Sequence, residues 1–591
     1  MGASTSAKYS RRPRLNKTDN GGDDWNEVGM PRLRSAGFCR CNTVEQYGSQ
    51  RDDRISDNPI LKGETMVVQP VLIDGEWTKS IGTATFQPTN PLTREPLPER
   101  YPVSPWAEVE HAIQAAHRVA EVVRGWPGER FAAFLDRLAD RIDARSADLV
   151  AIASLETALP VQPRLKDVEL PRTSNQLRQA ARAGREGSWA MPTIDAASNI
   201  RSVLGPIGPV VVFGPNNFPF AYNGAAGGDF AAAVAAGNPV IAKGHSSHPG
   251  TTRLLAEEAQ RAATETGMPA GFVQLIYRTS HEDGQRLVAH PLIGASGYTG
   301  SRSAGLQLKQ AADRVGKPIY LELSSINPVY VLPGALRERG SEIAEQFAIS
   351  CLMGTGQFCT NPGLVVLQSS PQAEDFIKQV TDRFAAAPVG TLLGAGVLSY
   401  LAAGLKTLIA NGATRLTGGL PGGGTGFCCQ NTLLRVTGKQ FVSAAEWLQT
   451  EMFGNASLIV VAETDDEIIA VTRALEGNLT GCLYTGNDGA DELLYDRVSL
   501  ILRQKVGRLL NDKMPTGVAV VSSMNHGGPF PATGHPGFTA VGFPASVRRF
   551  AMLHCYDGVR PHRLPDVLRN KNPTGCVWRL IDGQFSQGDV G

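Results

Sequence analysis

No stretch of the sequence reaches the roughly 18 consecutive apolar residues that a membrane-spanning helix requires, and the N-terminal residues lack an apolar run like the core of a signal peptide. The chain is therefore expected to be cytoplasmic, with no membrane partner. Neither sign of charge is in excess: 57 Lys and Arg face 56 Asp and Glu, a formal net charge of +1. Such a chain has no long-range field to draw it onto nucleic acid, and a small neutral or anionic ligand fits better. Cysteine is sparse, nine in 591 residues. Most stand alone, which excludes a disulfide framework, and the pairs Cys39/Cys41 and Cys428/Cys429 lack a second pair at zinc-finger spacing. No metal site is assigned.

Aliphatic residues are also scarce in residues 1–65, which mix Arg, Lys, Asp, Ser, Gly and Asn without a sustained period. Such a segment buries too little apolar area to offset the entropy of ordering and is expected to be disordered. The alternative is that it is not translated, because Met66 directly precedes the first strand-like run, residues 67–73, and its turn Asp74-Gly75.

The chain as a whole is 42% hydrophobic, enough for two or three domains. Over residues 106–154 apolar positions recur at helical spacing, as in Val109, Ile113 and Ala116, then Phe131, Phe134, Leu135, Leu138 and Ile142. After Gly205 the pattern becomes short apolar runs at residues 210–213, 240–242, 272–276 and 294–298, separated by helix-length segments such as 251–266. That alternation predicts parallel strands with crossover helices in a doubly wound α/β arrangement. A second α/β pattern follows Glu322, with runs at 328–332, 363–367, 457–461 and 481–484. Residues 200–204 and 547–553 read as further strands.

Six short segments follow in fixed order: Pro215-Asn216-Asn217-Phe218-Pro219, Lys243-Gly244-His245-Ser246, Tyr298-Thr299-Gly300-Ser301, Leu321-Glu322-Leu323-Ser324-Ser325, Gly356-Gln357-Phe358-Cys359 and Glu451-Met452-Phe453-Gly454. Singly each is a common loop string. Jointly, in this order and spacing, they resemble the aldehyde dehydrogenase superfamily, over all but the first 65 residues. The resemblance implies an α/β fold with a Rossmann-type cofactor domain (66–185 and 206–322), a catalytic domain (323–544) and a small β oligomerisation flap (186–205 and 545–591) in a homodimer or homotetramer. The strands near residues 200 and 550 would then project to pair with another subunit.

By the same resemblance Cys359 is the nucleophile, held in an open loop by the Gly-rich turn Gly354-Thr355-Gly356. A thiolate there attacks an aldehyde carbonyl and yields an alkoxide and then a thioester. A buried core cysteine is the plainer role and is the reading for Cys351, Cys482 and Cys555. The Asn217 amide and the Cys359 backbone N–H match the donors to the alkoxide, although Asn217 also suits a turn cap. Glu322 matches the base that activates water to hydrolyse the thioester, and its presence implies a free acid product rather than an acyl-coenzyme A.

Gly300, Ser301 and Gly305 match the strand-to-helix turn that receives a dinucleotide pyrophosphate, without the G-x-G-x-x-G fingerprint. Glu451 and Phe453 match the pair at the nicotinamide ribose, Phe453 being otherwise an ordinary core aromatic. Lys243 matches the lysine at the adenosine ribose. Three residues on, where NAD-preferring members often carry Glu, stands Ser246, whose hydroxyl can donate to a 2′-phosphate. The expected cofactor is NADP, with NAD possible, and His245 and His248 are either added positive charge or solvated loop residues.

Within the superfamily the chain is most similar to α-ketoglutaric semialdehyde (2,5-dioxovalerate) dehydrogenases. The residues that carry this are Ile326-Asn327-Pro328, Thr360-Asn361-Pro362-Gly363 after Cys359, Pro515-Thr516-Gly517-Val518, His526-Gly527-Gly528-Pro529 and Pro531-Ala532-Thr533, with a tail holding Val547-Arg548-Arg549-Phe550, Asn572-Pro573 and Asp582-Gly583. An anionic keto-aldehyde of this kind needs a cation at the far end of the tunnel, and Arg172 is the candidate. The chain departs from the common pattern at Asn216, Ser324 and Asn455, where Trp, Gly and Pro are usual. Two other readings are a broad-range enzyme acting on aliphatic aldehydes and a non-catalytic homologue, against which the joint presence of Asn217, Glu322 and Cys359 argues.

Overall fold

The computed structural model describes residues 68–591. The expectations for residues 1–65, Met66, Val67 and Cys39/Cys41 lie outside that range. Among the described residues no helix is long and apolar enough to cross a membrane.

The first sheet has seven strands, in the order Ile319–Glu322, Ala295–Thr299, Val210–Phe213, Val240–Lys243, Val273–Ile276, Val71–Ile73 and Glu76–Thr78. The first five are mutually parallel. Their near-continuous apolar sequences suit a sheet covered on both faces. The last two form a hairpin through Asp74 and Gly75, both at positive φ (53° and 83°), as a tight two-residue turn demands. Chain order runs outward from Val210–Phe213 to one side and then returns to the other. The strand ends Phe213, Lys243 and Thr299 therefore flank a topological switch point, where open α/β sheets leave a ligand crevice.

The amphipathic pattern of residues 106–154 forms three helices, Trp106–Val123, Gly128–Ala144 and Ser146–Thr157. Helix Leu170–Glu186 follows, and its Leu177, Ala180 and Ala181 are fully buried with Phe134 and Leu138 of Gly128–Ala144 in one core.

The second sheet orders its strands Thr414–Thr417, Thr432–Thr437, Ala456–Ala462, Leu364–Gln368, Pro328–Val331, Asn478–Tyr484 and Val506–Asn511. All neighbours are parallel except the antiparallel first pair. The third sheet joins Ala551–Asp557, Ile200–Pro206, Thr193–Asp195, Arg579–Ile581 and Gln584–Ser586.

Two sequence expectations need correction here. Residues 547–550 are not strand, because Ala545–Phe550 is a 3₁₀ turn whose Val547 and Phe550 are buried in the main core. The strand that follows pairs antiparallel with Ile200–Pro206 of the same chain, Leu553 opposite Leu204. Cys555, expected in the core, is exposed on that strand, whereas Cys351 and Cys482 are buried.

The two large sheets are joined by residues 323–327, at whose end Asn327 is fully buried with φ 48°. Its Oδ1 accepts from the hydroxyls of Ser325 (2.8 Å) and Thr480 (3.0 Å), and its Nδ2 donates to the carbonyls of Cys359 (2.9 Å) and Asn361 (2.8 Å). Asn327→Ala leaves several of these groups buried and unpaired, at about 1 to 3 kcal/mol each, and adds roughly 1 kcal/mol for a left-handed alanine. A stability loss of at least about 2 kcal/mol is expected in denaturant unfolding. Asn327→Gly, free of the backbone penalty, should recover only about 1 kcal/mol; a glycine variant as stable as the parent would show that the side-chain bonds contribute nothing.

Candidate active site

The loop that presents Cys359 begins where helix Pro333–Leu352 ends. Three successive residues there, Gly354, Thr355 and Gly356, take left-handed φ of 56°, 59° and 68°. Gly356 is obligatory on a second ground, because a Cβ would sit 2.0 Å from the Gly454 carbonyl oxygen. Gln357 then ties the turn down, its Nε2 donating to Gly354 O (3.1 Å) and its Oε1 accepting from Leu393 N (2.8 Å). The result is a short rigid loop whose next residues face a cavity of about 350 Å³.

Cys359 lines that cavity together with Asn217, Glu322, Thr299, Gly300 and Ser301. Asn217 is buried, and its Nδ2 donates to Gln357 O (3.0 Å), so the amide reaches across to the nucleophile loop rather than capping its own turn. Glu322 ends strand Ile319–Glu322 and is 1% exposed, and neither carboxylate oxygen has an aligned hydrogen-bond donor. Burial, and then the negative charge of Glu322, hold the Cys359 thiol well above its ordinary pKa, with Arg172 opposing the rise.

The third group at this point is His526, to which no role attaches in the sequence. Its Nε2 is 3.3 Å from Cys359 Sγ and 2.9 Å from Glu322 Oε1, and one reactive atom from each of the three residues lies within 4.8 Å of the others. His526 is 2% exposed and its backbone N–H donates to Thr539 Oγ1 (3.0 Å). The glycines after it allow this: a Cβ on Gly527 would meet Phe538 O at 2.1 Å, and one on Gly528 would meet Asn478 O at 2.3 Å. The string His526-Gly527-Gly528-Pro529 was the available signal, but nothing local ties it to residues 167 positions away.

At the other end of the cavity lie the residues matched to a dinucleotide. Gly300 and Ser301 are on the wall, at the N-terminus of the 12-residue helix Arg302–Asp313. Gly305, in its first turn, has no room for a Cβ, which would meet a Leu323 methyl at 2.5 Å. Glu451 and Phe453 also line the cavity. Glu451 Oε1 accepts from Ser325 N (3.2 Å), and burial pushes its carboxyl up to about 7.

Lys243, at the end of its strand, is set deep enough that burial, with nearby Arg278 adding to it, pulls the ammonium down to about 8. His245 and His248 correct the expectation of positive charge, and His248 also that of solvation. Their rings stack at 5.3 Å, His248 Nε2 meets Pro215 O at 2.9 Å, and burial lowers both below the ordinary histidine range. Burial thus works against a charge on either ring; His248 is buried, whereas His245 is partly exposed on the cavity wall. His245 and Ser247 line the cavity, with Ser246 between them and Lys243 before them.

Arg172 lies on helix Leu170–Glu186 and does not line this cavity, yet its charge reaches Cys359. Its hydrogen bonds go to neutral groups, Nε to Gln176 Oε1 (2.9 Å) and Nη2 to Tyr222 Oη (3.0 Å), and its guanidinium lies 5.6 Å from the Phe218 ring centre. Arg164, also stacked on Phe218, is instead paired with the buried carboxylate of Glu169.

Residues 77–499 match the model of the Aldehyde dehydrogenase family. The chain is 40% identical over 512 residues to alpha-ketoglutaric semialdehyde dehydrogenase 2 of Azospirillum brasilense, an alignment covering 85% of this chain and 96% of that protein. It is 33% identical over 530 residues to alpha-ketoglutaric semialdehyde dehydrogenase of Acinetobacter baylyi, covering 88% and 98%. Among solved structures, a putative aldehyde dehydrogenase from Burkholderia cenocepacia superposes with a TM-score of 0.71 at 22% identity, over 84% of this chain and 99% of that one. PnpE in complex with nicotinamide adenine dinucleotide superposes with a TM-score of 0.70, also at 22% identity, over 84% and 100%. With the motifs, the two α/β sheets and these similarities in agreement, the chain belongs to the aldehyde dehydrogenase family of oxidoreductases.

Proposed function

We propose that the chain oxidises 2,5-dioxopentanoate (α-ketoglutaric semialdehyde) to 2-oxoglutarate with NADP. The observation that carries the substrate is Arg172, a guanidinium within electrostatic reach of Cys359 whose hydrogen-bond partners are all neutral. A cation left uncompensated beside the nucleophile suits a substrate whose far end is a carboxylate. The similarity to two enzymes bearing that substrate's name supports the same reading. The half-buried β-sheet edge at Ala551–Asp557, with Met552 and Leu553 exposed, supports a homodimer or homotetramer. A cytoplasmic location accords with the absence of a membrane-spanning helix among the described residues.

In this reading the Cys359 sulfur attacks the aldehyde carbon. The unused hydrogen on Asn217 Nδ2 and the Cys359 backbone N–H donate to the alkoxide. Glu322, whose oxygens lack aligned donors, takes a proton from the water that hydrolyses the thioester. The residues present fit a dinucleotide: Gly300 and Ser301 open the start of helix Arg302–Asp313 to the cavity, Glu451 and Phe453 on its wall would face the nicotinamide, and Lys243 and Ser246, which do not line it but stand beside His245 and Ser247 that do, would serve the adenosine ribose. When bound, the nicotinamide supplies the two-electron acceptor.

Arg172→Met is expected to lower kcat/KM for the keto-acid semialdehyde by about tenfold to a hundredfold more than for a medium-chain alkanal, the loss of a charge-assisted bond of about 1.5 to 3 kcal/mol. Equal losses on both aldehydes would remove Arg172 from substrate recognition, and a parent enzyme that prefers the alkanal would point to the broad-range reading.

Cys359→Ala should abolish turnover while NADP binding, followed by fluorescence quenching, is retained. Glu322→Gln should slow hydrolysis most, so that rapid mixing records a burst of reduced cofactor before a slow steady state. A first turnover as slow as the steady state would mean that Glu322 acts earlier.

Ser246→Glu brings a carboxylate toward a phosphate of nearly two negative charges. Repulsion of about 1 to 3 kcal/mol would lower NADP affinity about tenfold to a hundredfold, while the 2′-hydroxyl of NAD can donate to the new group. The ratio of kcat/KM for NADP over NAD should fall, mainly through KM; a ratio left unmoved would mean that this loop does not read the ribose.

A further inference from the structure

Cys359 has a problem that the roles assigned so far do not solve. Burial and the neighbouring carboxylate of Glu322 both disfavour its thiolate, and the thiolate is the nucleophile. Glu322, which also bonds the thiol, favours its protonated form, and the other group in contact with the sulfur is His526. Its Nε2 meets Sγ at 3.3 Å in hydrogen-bonding geometry, whereas Glu322 Oε1, although only 2.9 Å from the same nitrogen, has no aligned donor. Nε2 thus makes its hydrogen bond to the sulfur, with the carboxylate close beside it. His526 also falls outside residues 77–499, the span that matches the family model.

We propose that His526 is the base that deprotonates Cys359, with Glu322 holding the imidazolium that results. The S–H bond breaks and its proton moves to Nε2, and the thiolate's electron pair forms the C–S bond to the aldehyde carbon. The proton stays on an imidazolium beside the Glu322 carboxylate until the thiolate is released by hydrolysis. This inference rests on Cys359 as the nucleophile and adds a catalytic residue to that site.

The charges around the ring act in both directions. Glu322, from strand Ile319–Glu322, and Glu451 favour a positive ring. Arg172, from helix Leu170–Glu186, and Arg508, from strand Val506–Asn511, oppose it, and the Tyr222 ring, 6.0 Å away, is neutral. Glu322 is much the nearest, at 2.9 Å, and Coulomb energy falls with distance. The backbone that carries the ring is fixed from outside the site, by the bond of its N–H to Thr539 Oγ1 and by the close packing of Gly527.

The test is the pH dependence of Cys359 alkylation by iodoacetamide, followed by mass spectrometry of the Cys359 peptide because Cys555 and Cys576 are also exposed. In His526→Gln and His526→Asn the alkylation rate at neutral pH should fall at least about tenfold and recover only at alkaline pH. The kcat/KM for aldehyde should fall about a hundredfold, with its rise displaced to the same alkaline range, as removal of a general base requires. NADP binding and the unfolding midpoint, measured on both variants, identify a folded one. Alkylation as fast as in the parent, or a loss equal at every pH, would overturn the proposal. Turnover by Cys359→Ala would instead overturn the nucleophile reading beneath it, so the two failures are distinct.

Discussion

The side chain of Asn327 holds together the parts of the molecule that must meet for chemistry. It lies where the chain leaves one sheet, just past Glu322, and enters the next at Pro328–Val331. From there its amide reaches the carbonyls on either side of Thr360, and so fixes the loop of Cys359 to the strand end of Glu322. Asn478 reinforces the turn, its Oδ1 accepting from the backbone of Ile326 (2.9 Å) and Asn327 (3.1 Å). A left-handed residue buried in such a web persists because the surroundings over-determine it. Cys359 and Glu322 therefore belong to one polar unit, though they come from different parts of the fold.

The other end of the cavity depends on a different constraint, the closeness of side chains to the glycines of its turn, where a Cβ on Gly300 would meet the Tyr298 hydroxyl at 2.7 Å and one on Gly305 a Leu323 methyl at 2.5 Å. Phe213, Lys243 and Thr299 end three parallel strands at the switch point, and the loops after them form one wall. Burial there disfavours the charged forms of His245, His248 and Lys243. An anion at this end would meet oriented N–H groups and few full charges.

Much of this was legible in the sequence, for identifiable reasons. The five parallel strands of the first sheet are short apolar runs between helix-length segments, and four of them stand at the expected positions to within a residue or two. Strand Thr414–Thr417 was not legible, since its exposed Thr414 and Arg415 carry no apolar pattern. Strand Val506–Asn511 was hidden by Gly507 and Arg508. The end of the chain was misread at residues 547–550 because a buried 3₁₀ turn and a strand share the same apolar composition. At the site, Cys359, Glu322 and Asn217 were found as members of ordered motifs. His526 also stands in one, but its contact with Cys359 spans 167 residues, and no local period or propensity encodes it.

Arg172 and His526 make complementary demands on the same sulfur. Arg172 is the charge that opposes the rise in the thiol's pKa, so an empty site leaves the sulfur some electrostatic help from it. When the carboxylate of an anionic aldehyde pairs with that guanidinium, the pair's field at the sulfur is much reduced, since opposite charges in contact act at a distance as a dipole. Substrate binding would then withdraw the support that the thiolate needs, at the moment it needs it. A neutral alkanal does not have this effect. An enzyme that selects its substrate through Arg172 thus requires a proton acceptor in direct contact with the sulfur, stabilised by a charge the substrate does not touch. His526, 3.3 Å from Sγ and backed by Glu322, meets both conditions, and this ties the base to the acidity of the substrate rather than to aldehyde oxidation in general.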